Sequence, residues 1–170
     1  MGTNLIVGVV NPVSAQDAAT KDYVDTVAAG LTPEASVRVA STASLTVTYA
    51  NGASGVGATL TNADTQIALS IDSVALIVGD RILIKDQSSG FQNGIYDVTN
   101  IGSGATNWVL TRSMDFDQKA DMNGSGLIPV REGTVWAGTV WLQTGTIVTV
   151  GTTALIFTRF PVLRCAAAFF

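Results

Sequence analysis

Any chemistry in this chain has to come from carboxylates and indoles, because the side chains that most often move protons or hold metals are scarce. Histidine is absent and Cys165 is the only cysteine. That removes Ser-His and Cys-His nucleophile pairs, the usual general base, an intrachain disulfide and any cysteine-built zinc cage. Asp115, Asp117 and Asp121 are close enough in sequence to suggest a calcium loop, since hard cations collect several carboxylate oxygens from one turn. An EF-hand, however, needs an oxygen ligand at its fifth position and glycine at its sixth, where this chain has Lys119 and Ala120. The stretch reads as a solvated acidic loop in which Asp115 pairs with Arg112, and no metal site is assigned. Glu132 with Asp115 or Asp117 are the carboxylate pairs that could work on a glycosidic bond. The chain lacks the length and repeat of the parallel β-helices that often carry that chemistry. No catalytic residue is assigned, and the chain reads as a non-enzyme.

Two further groups bear on ligands. Gly52-Ala53-Ser54-Gly55-Val56-Gly57 resembles a phosphate cradle in its glycines but lacks the Gly-Lys-Ser/Thr ending that reaches phosphate and magnesium. It reads as a turn, and no cofactor is assigned. Trp108, Trp136 and Trp141 could stack on sugar rings. Trp108 and Trp141 fall within alternating strands and are expected in the core, whereas Trp136 sits among turn residues and is the candidate for an exposed glycan contact.

The net charge of −4 argues against a nucleic-acid partner, which needs a concentration of lysine and arginine. Of the residues, 47% are hydrophobic and 13% charged, yet no run approaches the roughly eighteen apolar residues of a membrane span. The apolar excess therefore points to burial against other proteins. Residues 5–10 form a brief apolar run without a basic leader or a small-residue cleavage site, so export by a signal peptide is not expected.

The elements that would position these residues divide the chain in two. In residues 1–33, an extended apolar segment precedes a helix over residues 14–29. Ser14 and Asp17 suit its N-terminus, and Gly30 and Pro33 suit its end. Thr20, Val24, Val27 and Leu31 follow at alternating four- and three-residue steps, the spacing that keeps one stripe toward a partner helix, with Tyr23 beside them. From Val37 onward the habit changes to threonine, valine, isoleucine, serine and glycine, which suits strands. Strands are expected over residues 44–49, 67–71, 81–85, 94–99, 107–112, 139–143, 147–150 and 154–159, with residues 50–60 as a loop or irregular hairpin tip. Residues 94–99 and 107–112 should form a hairpin around the turn at 101–105. The expected fold is mainly β: an N-terminal strand and short oligomerisation helix, then a small antiparallel β-barrel or sandwich over residues 34–170.

Two stretches carry a family resemblance. Asn11-Pro12-Val13-Ser14-Ala15-Gln16-Asp17-Ala18-Ala19-Thr20-Lys21-Asp22-Tyr23-Val24-Asp25 resembles a segment of bacteriophage tail-fibre and tail-appendage proteins, in which such a helix gathers chains into a homotrimer. Gly79-Asp80-Arg81-Ile82-Leu83-Ile84-Lys85-Asp86-Gln87, continued by Gln92-Asn93-Gly94-Ile95-Tyr96-Asp97-Val98 and Trp108-Val109-Leu110-Thr111-Arg112, is similar to a small β domain of phage tail and baseplate proteins. The resemblance implies a structural virion protein, made in the host cytoplasm and resident in the phage tail. It would assemble as a homotrimer through Tyr23, Val24, Val27 and Leu31 and dock onto neighbouring tail or baseplate proteins. A receptor-binding module that contacts host glycan is the alternative.

Overall fold

The computed structural model describes residues 34–123 and 126–161. The expected N-terminal strand and trimerisation helix, with Tyr23, Val24, Val27 and Leu31, lie outside the described residues, as do Cys165 and the apolar residues 166–170. The described body is mainly β. Its strands are β1 (Val39–Ala40), β2 (Val47–Ala50), β3 (Thr59–Asn62), β4 (Ser70–Ile71), β5 (Val74–Ala75), β6 (Arg81–Ile84), β7 (Gly94–Asn100), β8 (Val109–Arg112), β9 (Leu127–Pro129), β10 (Val140–Gln143) and β11 (Phe157–Arg159). Among the described residues, helical structure is limited to the four residues Lys119–Met122 and to 3-10 turns at Gly90–Gln92 and Met114–Phe116.

Six strands form one sheet in the order β1-β6-β7-β8-β3-β2, and three form another in the order β11-β10-β9. Both sheets are open, so the expected barrel does not close. Nor is the body wholly antiparallel: β1 pairs in parallel with β6, and Val37 bridges Val130 in parallel. The reason is the path of residues 34–41. The Glu34 and Val37 amides donate to Leu127 and Pro129 at 2.9 Å each, after which the Arg38 and Ser41 amides donate to Arg81 (2.7 Å) and Leu83 (2.8 Å). One segment therefore leaves the three-stranded sheet and joins the six-stranded one, lacing the two together.

Alternation of side chains gives the six-stranded sheet two different apolar faces. Val39, Ile82, Ile84, Tyr96, Val98, Leu110 and Leu60 face a core that Leu69, Ile71, Leu76 and Trp108 complete. Ala40, Leu83 and Ile95 face the other core, with Ile128 and Trp141 from the three-stranded sheet and Phe116, Met122, Ile147, Val150 and Leu155 from the loops. Strand β6 lies under both, which is why Ile82, Leu83 and Ile84 are all fully buried where a one-sided strand would alternate.

The expected hairpin is present: β7 pairs antiparallel with β8, with a register shift between Val98 and Asn100. Residues 147–150 are not a strand. They belong to a turn in which the Thr149 carbonyl accepts from the Thr152 and Thr153 amides, and the Thr153 hydroxyl accepts from the Val148 and Thr149 amides. Local hydroxyl bonding has displaced the ladder that the valines favour. Residues 50–60 form the tip of the β2–β3 hairpin, with β3 beginning at Thr59 and pairing with both β2 and β8. The turn between β4 and β5 uses Asp72 and Ser73 at φ of 48° and 65°, the mirror-image geometry of a two-residue hairpin.

Candidate functional site

Within residues 79–112, Asn93, Tyr96 and Arg112 meet in the interior. Arg112, at the end of β8, is 1% exposed. Its Nη1 donates to the Asn93 carbonyl (3.1 Å), and its Nη2 donates to the Phe91 carbonyl (3.2 Å) and to the Tyr96 hydroxyl (2.9 Å). Tyr96 in turn donates to the Gln92 carbonyl at 2.7 Å and turns its ring toward the guanidinium. Burial holds the Tyr96 phenol well above its ordinary range, so it stays a neutral donor. A Cβ at Gly94 would collide with Arg112 Nη1, which explains glycine between Asn93 and Ile95. The expected Arg112–Asp115 pair does not form. Strand alternation turns Arg112 inward, while the 3-10 turn carries Asp115 outward, where it accepts from Arg81 Nη1 at 2.6 Å.

The first part of that stretch is equally occupied. Asp80 accepts from Arg38 Nη1 (2.6 Å) and from the Ile77 amide (2.8 Å). Gln87 is buried and reaches across to Leu45, whose amide donates to Oε1 at 2.6 Å and whose carbonyl accepts from Nε2 at 3.1 Å. The Asn93 side chain ties the Gln87 amide (2.9 Å) to the Leu155 carbonyl (3.1 Å). These contacts join β6, β7 and three loops without presenting the side chains to a common cleft.

The acidic residues go to separate tasks. Asp115 pairs with Arg81, and Asp121 accepts from the Gln118 amide at the start of Lys119–Met122. Asp117 is 3% exposed; burial, aided by Asp121, raises its carboxyl above the ordinary range. Among the described residues no three Asp, Glu, Cys or His side chains converge to hold a metal. Glu132 accepts from Arg38 Nε at 3.1 Å, so it and Asp115 each face their own arginine. The glycine-rich segment at 52–57 turns β2 into β3, strand to strand, without the helix a phosphate cradle requires.

Of the indoles, Trp108 and Trp141 are buried as expected. Trp136 is half-buried rather than open: its ring meets Trp141 edge to face at 5.0 Å, and its Nε1 is buried without an acceptor among the described residues. Lys85, with a side chain only 4% exposed, lays its ammonium 4.5 Å over the Trp136 ring and bonds both Asp86 carboxylate oxygens at 2.9 Å. One face of Trp136 is thus taken by a lysine. Asp72 positions the loop that bears Trp136, because its carboxylate accepts from the Val135 and Trp136 amides at 2.9 Å each. Sequence reasoning missed Lys85, Gln87 and Asp72 as positioning residues. The Asp-Ser pair at a hairpin tip was the signal available for Asp72.

Among the described residues, shallow clefts of about 290 Å³ and about 400 Å³ lie beside Asn62, Asp64 and Trp108 and beside Asn123, Gln143 and Thr144. Neither gathers a nucleophile, a base and an oxyanion donor. No helix of the described residues is long and apolar enough to cross a membrane. The chain matches no protein-family model, no curated protein and no solved structure.

Proposed function

We propose that this chain is a structural protein of a bacteriophage tail, a fibre, appendage or baseplate component that assembles as a homotrimer and docks onto neighbouring tail proteins. It is made in the host cytoplasm and resides in the virion. The observation that carries this reading is the openness of the β body. Among the described residues, β2 pairs only with β3 and β11 only with β10, which leaves each an outer edge of backbone donors and acceptors. Such edges template addition of another chain unless something covers them. The resemblance of residues 11–25 to tail-fibre helices supports the trimer, and the use of Gln87, Asn93, Tyr96 and Arg112 in internal hydrogen bonds supports a scaffold role over catalysis.

Glycan recognition through Trp136 is the weaker reading, because Lys85 already occupies one face of that indole. Sedimentation tests assembly: the parent chain should run as a trimer, and Val24→Asp with Val27→Asp should yield monomers or aggregates. A monomeric parent, or an unchanged mass in the double variant, would refute the proposal.

A further inference from the structure

The chain contains three Asn-Gly pairs, at Asn51, Asn93 and Asn123. In such a pair the glycine amide can attack the asparagine side chain, since no Cβ hinders the approach. The fold treats the three unequally. Asn93 is buried with both ends of its carboxamide bonded, and Gly94 lies in the ladder opposite Ile84. Asn123 is exposed, but its carboxamide is clamped to Ile147 by bonds of 2.7 and 3.0 Å. Asn51 is half-buried, Gly52 is exposed, and among the described residues the Gly52 amide donates no hydrogen bond. The side chain of Asn51 makes one bond, accepted by its Oδ1 from the Tyr49 hydroxyl at 2.7 Å.

We propose that Asn51 is a self-modifying site, at which Tyr49 assists cyclisation onto Gly52 and conversion to an aspartyl or isoaspartyl residue. The Gly52 amide gives its proton to water or hydroxide, and its nitrogen forms a bond to Asn51 Cγ. Negative charge then develops on Oδ1, where the Tyr49 hydroxyl already donates. Collapse breaks the Cγ–Nδ2 bond and releases ammonia, whose additional proton comes from water. Water then opens the succinimide at either carbonyl, so the net change is gain of water and loss of ammonia, without oxidant or reductant. The isoaspartyl product adds a methylene to the backbone. That disrupts the turn in which the Gly55 amide donates to the Asn51 carbonyl (2.8 Å), and it places a carboxylate against Gly151, on which the Asn51 side chain packs.

The test is incubation of the full folded chain at mildly alkaline pH, with peptide mapping by mass and by enzymatic methyl transfer to isoaspartyl groups. Asn51 should convert first, and faster than both other sites. In denaturant the three should convert at comparable rates. Tyr49→Phe, checked for an unchanged melting transition, should slow conversion of Asn51 by about tenfold, less than the loss of a donor from an enclosed oxyanion hole because this loop is wet. Conversion of Asn51 no faster than that of Asn93 or Asn123 in the folded chain would overturn the proposal. So would an unchanged or increased rate in Tyr49→Phe. If that variant fails to fold, the ranking of the three sites in the parent chain decides alone.

Discussion

Lys85 holds its ammonium 4.3 Å from the ring centroid of Trp141, with Trp136 standing edge-on to the same ring. The lysine is therefore an interior residue by contact, anchored by Asp86, which also accepts from the Ser41 hydroxyl at 2.7 Å. Lys85→Met keeps the apolar stem and removes the charge. It should destabilise the body by about 1–2 kcal/mol through loss of a largely desolvated cation–π contact, and it should alter tryptophan emission. Equal denaturation midpoints and unchanged emission would show that the ammonium does not support the indole pair.

Gly94 and Arg112 should behave as one unit. Gly94→Ala places a methyl group against the guanidinium and imposes a side chain at φ 149°, so it should cost more than the ~1 kcal/mol of an ordinary backbone penalty. Arg112→Met removes the group that three acceptors surround and should cost about 3 kcal/mol or more, since it strands those acceptors in the interior. Chemical denaturation of the single and double variants checks the coupling. The double variant should be clearly less destabilised than the sum of the singles, whereas simple additivity would mean that the two positions do not act through their contact.

Asp117 sets the expected pH dependence. Its folded pKa lies above the ordinary 3.8, raised first by burial and then by Asp121, with Arg112 opposing. The folded state therefore binds the proton more tightly than the unfolded chain. The associated stability is fully present below the unfolded pKa and is lost as pH rises through the folded one. Glu34, also raised mainly by burial, adds in the same direction. Asp117→Asn should flatten this decline and raise stability at neutral pH relative to the parent. Urea melts across the acidic-to-neutral range measure it, and an identical slope in the variant would rule out Asp117 as the source.

Much of the body was legible because burial alternates along strands such as β8 and β10. Strand β7 does not alternate, being buried at Gly94, Ile95, Tyr96 and Val98, but its aromatic and β-branched residues announce it, and the small residues between it and β8 announce the turn. Strand β9 escaped notice: three residues ending in Pro129 give little alternation to read, and Pro129 lacks the amide donor that strands normally use. The segment at 147–150 misled in the opposite sense, since its valines favour a strand but Thr149 and Thr153 bond locally. The interior polar centre could not be read from spacing. Arg112 finds acceptors nineteen and twenty-one residues earlier, at Asn93 and Phe91, and only the folded β7–β8 pairing brings them together. Asp115 was assigned to Arg112 because it is near in sequence, while its actual partner, Arg81, is 34 residues away.

The lacing segment at 34–41 also determines how the body would bear a pulling force. Its bonds to Leu127, Pro129, Arg81 and Leu83 lie across the run of residues 34–41. Tension applied along residues 34–41 would therefore load them together, in shear, rather than peel them one at a time. Because those bonds reach both sheets, the load would be divided between the two cores at the point of entry, and slippage would require both to yield at once. A tether built in this way resists extension most strongly along its own axis.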